Sequence, residues 1–388
     1  MFLDTTLRRN PHLIEAAQAL HADGLIEPDT YVIDVDTVSA NARALAATAT
    51  AHGLVPWAVI KQIGRNPLVT RAITQHLPLG TAIDVREARA LLAGGAHLGN
   101  VGHLVQIPRK ALPEILAAGA DHVTVYDVSN LRAVDAAARS LGIVQPIIAR
   151  IAGHASDSYP GQEGGFAPCD MARLLETTES LAHTRLVGVT GFPCVVFDPA
   201  LGRPRVTATL DAVLRAAEVI RGAGVEPVIS LPSHSSCSTV PLVAAAGGTH
   251  IEPGHALTGS TPEHAVRDDL LERPAMVYVS EVGQESPRPQ VIGGGFYARG
   301  GARNALLGSA DSARRIALLP DPPENIDYYR RLDPSSADVS PRLGETAVMA
   351  FRTQIFVTRS HVAVVSGIAA GSPHVDGVFT ALGEVVAA

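Results

Sequence analysis

Pro56-Trp57-Ala58-Val59-Ile60-Lys61-Gln62-Ile63-Gly64-Arg65-Asn66-Pro67 runs from an apolar segment into one lysine and then into a polar loop with glycine and proline. The run reads as a strand, Pro56 to Ile60, that turns toward a helical stretch. The same phrase recurs downstream at Thr81 to Val85, Val101 to Ile107, His122 to Tyr126, Pro146 to Ile151, Leu186 to Thr190, Val228 to Leu231 and His250 to Ala256. Most of these runs lie roughly 20 to 40 residues apart, the scale of a βα unit. An earlier run, Tyr31 to Val35, reads as a lead strand, which leaves eight strands alternating with helices. No Gly-rich dinucleotide fingerprint follows the first strand, so the pattern predicts an α/β chain with a closed (β/α)8 TIM barrel rather than an open sheet.

Working outward, residues 1 to 29 predict one amphipathic helix, Pro11 to His21, because Leu13, Ile14, Ala17 and Leu20 recur at helical spacing. At Asp84-Val85-Arg86-Glu87 an N-cap acceptor stands three residues before a glutamate, ahead of a helix over Ala88 to Leu92 and a Gly94-Gly95 stop. That spacing reads Glu87 as a cap, and leaves Asp84 open to capping or to chemistry at a strand end. After Gly259 the period changes to strands and turns: Met276 to Val282, Val291 to Ile292, Thr346 to Phe351, Ile355 to Thr358 and His361 to Ser366, interrupted by the Pro-rich Leu319 to Pro323 and the polar Asp333 to Pro341. The expected organisation is a helical lead-in over 1–30 packing on the last domain, a barrel over 31–265 and a β-domain over 266–388.

The 388 residues carry a formal net charge of -7, with 46% hydrophobic and 18% charged residues, an ordinary globular balance with no basic footprint for nucleic acid. Cys169, Cys194 and Cys237 have no C-x-x-C spacing, so neither a disulfide framework nor a zinc ribbon is indicated. Arg8, Arg9, His12 and Glu15 break the apolar character of the first 20 residues, and no run of about 18 uninterrupted apolar residues follows. A soluble cytoplasmic protein with no membrane partner is expected.

Of 31 basic residues only Lys61 and Lys110 are lysines. A chain that uses arginine for charge and keeps a lysine at the end of an apolar strand points to what arginine cannot do: lose a proton and attack a carbonyl. Desolvation at a barrel mouth favours that amine form, although a strand-end lysine can also simply snorkel to water. In barrels, loops after the seventh and eighth strands commonly hold phosphate. Here the former is Pro232-Ser233-His234-Ser235-Ser236-Cys237-Ser238-Thr239, five hydroxyls in seven residues from Ser233, and the latter Pro253-Gly254-His255-Ala256-Leu257-Thr258-Gly259. Either alone is equally a surface turn; together they favour a phosphorylated ligand. Glu252, an acid between Ile251 and Pro253, would face that ligand. A lysine for a Schiff base, a phosphate cradle and an acid for a ring nitrogen describe pyridoxal 5'-phosphate (PLP).

At these residues the chain resembles the fold-type III PLP enzymes, the superfamily of alanine racemase and the ornithine and diaminopimelate decarboxylases, and within it the YhfX-like branch. Val32 to Asp36, Lys61 to Pro67, Gly102 to Pro108, Tyr159 to Glu163, Glu252 to Gly259 and Phe351 to Arg359 carry the resemblance over nearly the whole chain. It implies an alanine racemase-like PLP barrel followed by a C-terminal β-domain, Lys61 as the cofactor lysine, and a homodimer with shared active sites. The second acid/base of the racemases, a tyrosine from the partner's β-domain, is matched by Tyr297 in Gly293-Gly294-Gly295-Phe296-Tyr297-Ala298-Arg299, which also reads as a hairpin with an exposed aromatic. Where racemases carry arginine this chain has Glu252, as the decarboxylases do in a similar Glu-Pro-Gly motif. Gly191 stands where a ring-stacking imidazole is expected, leaving His103 or Phe192 to cover the cofactor, and the arginine of the loop after strand five is not evident in Tyr159 to Phe166.

The expected cofactor set is Lys61, His103, Arg150, Ser233, Ser235, Ser236, Glu252, Gly254 and His255; Tyr159, Gln162 and Arg352 are expected for an amino-acid substrate, with Arg352 equally able to pair on the surface. No resident metal is expected: His250, His255, His361 and His374 form no metal spacing, although His374-Val375-Asp376 could contribute ligands. The expected chemistry is at Cα through a Lys61 Schiff base, with racemisation or epimerisation first, decarboxylation second and retro-aldol cleavage third. The alternatives are a non-catalytic PLP-binding protein, against which the β-domain argues, and a metal-dependent barrel hydrolase using His103, Asp84 and Glu252.

Overall fold

The computed structural model describes residues 1–387 apart from 155, 298 and 323. The Gly-rich turn and the Pro-rich stretch read above therefore each include one residue, Ala298 and Pro323, outside the described ones, as is the terminal Ala388. The chain divides into two compact units, one of residues 42–59 and 73–254, the other of residues 1–41, 60–72 and 255–388.

The first unit is the barrel. Its eight parallel strands are Val55–Pro56, Leu79–Ala82, His97–Val101, Val123–Val125, Gln145–Arg150, Thr184–Thr190, Val228–Ser230 and His250–Ile251. They pair in sequence order from the second to the eighth, the eighth pairs with the first, and a parallel bridge between Ala58 and Gly80 joins the first to the second and closes the ring. Ile147, Ile148, Val125 and Val189 are fully buried, as expected of parallel strands covered on both faces. Helices Val85–Ala93, Leu112–Ala117, Val128–Leu141, Met171–Glu179, Ala208–Gly222 and Val240–Ala245 connect them. Asp84 caps its helix, accepting from Glu87 N at 2.7 Å, while the Glu87 carboxylate accepts from Ile83 N at 3.2 Å, so both acids are occupied by the helix start.

One reading of this unit needs correction, and one element was not expected. The strand expected over Val101 to Ile107 runs over His97–Val101, because Gly102 (φ 83°) and Leu104 (φ 93°) leave the extended region. An unexpected hairpin, Val195–Asp198 with Arg203–Val206, follows the sixth barrel strand.

The second unit is built on a ten-stranded sheet. Met276–Gln284, Gln290–Ile292, Tyr329–Asp333, Arg314–Leu318, Asn304–Leu307 and Thr346–Met349 form a ring of antiparallel pairs, since Met276–Gln284 bonds to both Gln290–Ile292 and Thr346–Met349. The sheet continues through Thr30–Asp34, His361–Ser366, His374–Thr380 and Val385–Ala387. Thr30–Asp34 is thus not a lead strand of the barrel. It lies between Met276–Gln284 and His361–Ser366, with Tyr31 opposite Tyr278 and Val362, and all five residues are buried. The span expected for the barrel, 31–265, therefore opens on a strand that pairs in this second sheet. Ile355 to Thr358, expected as a strand, holds a 3-10 turn over Ile355–Val357. Helices Phe2–Arg9 and Pro11–Ala22 cover the sheet, with Leu13, Ile14, Ala17 and Leu20 in one core with Val32, Val277, Val279 and Val348.

Candidate functional site

In the barrel unit the carboxyl ends of strands carry an interlocked set of polar side chains. Glu252 follows the eighth strand, with its side chain 6% exposed. Its Oε2 lies 2.9 Å from His103 Nδ1, its Oε1 accepts from Ser230 Oγ at 3.1 Å, and its backbone N donates to Ser235 Oγ at 3.1 Å. His103 Nε2 lies 2.9 Å from Arg150 Nη1. An arginine only donates, so Nε2 must accept; the imidazole is then neutral, and its Nδ1–H donates to Glu252. Arg150, at the end of the fifth strand, is fully buried and also donates to the carbonyls of Gln162 and Phe192, each at 3.2 Å. Burial pulls its guanidinium below the ordinary value, while Tyr126, Cys194 and Glu252 act the other way. Tyr126 and Phe192 flank the guanidinium, their ring centres 5.6 and 5.9 Å from its carbon.

Tyr159 and Gln162 share one turn, Gln162 N donating to Tyr159 O at 3.0 Å, and the Tyr159 ring lies 5.8 Å from that of Phe192. Gly191 holds no ring-facing group; an added Cβ there would press on Val213 and Thr209. In the hydroxyl loop Ser233 and His234 both have positive φ, 84° and 50°, and Ser236 Oγ lies 3.0 Å from Ser238 Oγ. Ser235 and Ser236 are buried. Buried Gln162 Oε1, Thr190 Oγ1 and Arg150 Nε have no hydrogen-bond partner.

The chain leaves this unit at Val59, whose N donates to Pro253 O at 2.9 Å, one residue past Glu252. Lys61, two residues further along, opens a 3-10 turn in the other unit and is half-buried. Gly64 (φ 67°) and Arg65 (φ 54°) reverse the chain, and Asn66 Oδ1 accepts from Leu68 N and Val69 N, starting helix Pro67–Thr74 with proline at its first position. A Cβ at Gly64 would stand 2.9 Å from both Ala381 O and Ile355 Cγ2, so glycine is required for the lysine turn to seat there. His255 Nε2 lies 2.9 Å from Thr353 O, and Thr353 Oγ1 2.8 Å from Tyr31 OH, which donates to Gly295 O. Asp327 accepts from Gly294 N at 3.1 Å and Phe296 N at 2.8 Å, which sets the Gly-rich loop and leaves Tyr297 half-buried, with Gln354 Nε2 3.5 Å from its hydroxyl. Arg352 N donates to Gly300 O in the same loop region.

The structure thus brings His103, Arg150, Gln162, Ser235 and Glu252 into one bonded set and leaves Lys61, His255, Tyr297 and Arg352 in the other unit. Sequence reading missed Ser230 and Thr190; both end barrel strands, the position that signalled Glu252. Among the described residues there is no cluster of three or more His, Cys, Asp or Glu placed for a metal, and no helix long and apolar enough to cross a membrane.

A chain with this barrel and this β-sheet belongs to a known family: residues 33–262 match "Alanine racemase, N-terminal domain". More particularly, residues 277–375 match "YhfX-like, C-terminal domain", and the chain is 36% identical to the protein YhfX of Escherichia coli (strain K12) over the full length of both. Solved structures share the fold at low identity. Alanine racemase of Clostridium difficile 630, in complex with cycloserine, aligns with a TM-score of 0.65 at 14% identity, covering 91% of this chain and 98% of that one. D-threonine aldolase from Filomicrobium marinum gives 0.68 at 16%, covering 91% and 94%. D-threo-3-hydroxyaspartate dehydratase from Delftia sp. HT23 gives 0.63 at 19%, covering 89% and 96%.

Proposed function

We propose that this protein is a cytoplasmic PLP-dependent enzyme acting at Cα of an amino acid, with racemisation or epimerisation as its first reaction. The observation that carries the reading is the buried Glu252 carboxylate, held by two donors, with Thr190 Oγ1 and Arg150 Nε unpaired at the ends of two other barrel strands. That donor set fits PLP: Glu252 for the pyridine nitrogen, and Ser233, Ser235, Ser236 and Gly254 for the phosphate, where small side chains let oxygen and N–H groups approach an anion. PLP, when bound, supplies the electron sink that lets a bond at Cα break.

The chain's own residues do the rest. Lys61 would hold the cofactor through its amine and, when released by the substrate, would hold or return the Cα proton as a base. Tyr297, contributed by a partner copy in a homodimer, serves the opposite face, and its phenol moves a proton at the same carbon. Arg352 pairs with the substrate carboxylate, and Tyr159 and Gln162 bound the substrate. The named activities of the structural relatives, on alanine, D-threonine and D-threo-3-hydroxyaspartate, support an amino-acid substrate.

Decarboxylation is the second reading, favoured by Glu252 itself: a carboxylate at the ring nitrogen would strengthen the electron sink that loss of carbon dioxide from Cα requires. Purified protein with PLP and a panel of L- and D-amino acids, followed by chiral chromatography with carbon dioxide and aldehyde detection, tests the proposal. Loss of optical purity without gas supports racemisation, and gas release moves the assignment to decarboxylation. No change in any amino acid leaves a PLP-binding protein without turnover and ends the enzyme reading.

A further inference from the structure

The bonded line from Arg150 through His103 to Glu252 joins a buried cation to a buried anion through one neutral ring. Among the described residues no carboxylate pairs directly with Arg150. Its hydrogen-bonded link to Glu252 therefore runs through the imidazole, which the guanidinium forbids to carry a proton on Nε2.

The loop that delivers His103 is held under local strain. Leu104, the next residue, has φ 93°, a conformation a branched side chain adopts only when its surroundings impose it. Here they do: Leu104 N donates to Tyr126 OH at 2.8 Å, the same tyrosine whose ring flanks Arg150, and Gln106 Nε2 donates to Gly102 O and Thr124 O, each at 3.1 Å. Gly102 lies close enough to Thr124 O that an added Cβ would stand 3.2 Å from it. Strain kept by three separate contacts at this one turn indicates that the ring's placement, not the loop's comfort, is what the fold maintains.

We propose that His103 is a positioning residue: fixed by Arg150 as the neutral Nδ1–H tautomer, it sets the rotation of the Glu252 carboxylate, together with Ser230, so that the remaining lone pairs face the ligand's ring nitrogen. The last part of this assignment rests on the PLP reading; the tautomer does not.

The test has two arms on the full chain. In cofactor-free protein labelled with 15N-histidine, long-range proton–nitrogen correlation at neutral pH reads the tautomer, and His103→Gln identifies the signal by its loss. The expected result is a neutral ring with the proton on Nδ1; a proton on Nε2, or on both nitrogens, overturns the proposal. In the second arm His103→Leu is expected to weaken PLP about tenfold, His103→Gln, which can accept from Arg150 and donate to Glu252, to restore binding to within about twofold, and a PLP analogue with C–H in place of the ring nitrogen to be indifferent to both. Equal losses for PLP and the analogue mark a merely structural residue and overturn the proposal. Wild-type protein that binds neither ligand sinks the PLP reading, and with it the ligand-facing role given to Glu252 and His103.

Discussion

His103 Nδ1 and Glu252 Oε2 lie 2.9 Å apart across 149 residues of sequence, both nearly excluded from water. Since Arg150 occupies the far side of the ring, the hydrogen bond has one direction, toward a carboxylate that accepts.

Removing that charge while keeping its shape is the cleanest perturbation of the site. Glu252→Gln is expected to slow turnover by about 100-fold or more, the scale of a lost preorganised electrostatic contact, while PLP still binds. Turnover equal to wild type in the same amino-acid assay would take Glu252 out of the chemistry.

The hydroxyl loop carries a separate expectation. Ser236 is 1% exposed, and a carboxylate placed there repels a phosphate and leaves a neutral alcohol nearly unaffected. Ser236→Asp should therefore weaken PLP by about tenfold more than it weakens phosphate-free pyridoxal, measured by titration of absorbance. Parallel losses for the two ligands would deny the loop a phosphate role.

These residues were legible to different degrees. In the sequence Lys61 stands out as one lysine at the end of an apolar strand among 29 arginines, and Glu252 as an acid that interrupts an apolar run. The pairings of Glu252 with Ser230 and His103, and of His103 with Arg150, span 22, 149 and 47 residues, so only the closed barrel brings them together. The barrel is legible because several strands, such as Val123–Val125 and Gln145–Arg150, contain β-branched runs and helices follow most of them. Thr30–Asp34 has the same composition and lies in the other sheet, since hydrophobicity records that a strand is buried and not which strands flank it. His97–Val101 was displaced in the reading because His97 and Gly99 weaken its pattern, while Gly102 to Gln106 looks better as a strand than its backbone permits.

Trp57, just past the first barrel strand, packs on His250 with ring centres 4.2 Å apart and on His122 at 5.5 Å. Burial, with His122 acting the same way, pushes His250 down to about 3 from its ordinary 6.5, and burial also lowers His122. Below 6.5 the unfolded chain takes up a proton that folded His250 refuses, so stability present above that value is lost as pH falls toward 3. The slope for one such proton is about 1.4 kcal/mol per pH unit. Urea midpoints measured down this range should fall less steeply for His250→Gln than for wild type; identical slopes would mean that His250 does not set the acid sensitivity.

The two lysines make the covalent claim unusually easy to check. Lys110 is exposed in a turn after the third barrel strand, whereas Lys61 opens the turn that follows the first. Protein incubated with PLP, reduced with borohydride, digested and mapped by mass spectrometry is expected to carry the cofactor's mass on the peptide containing Lys61 and to lose it in Lys61→Ala. Label on the Lys110 peptide alone, on both peptides equally, or on neither would contradict Lys61 as the residue that holds PLP.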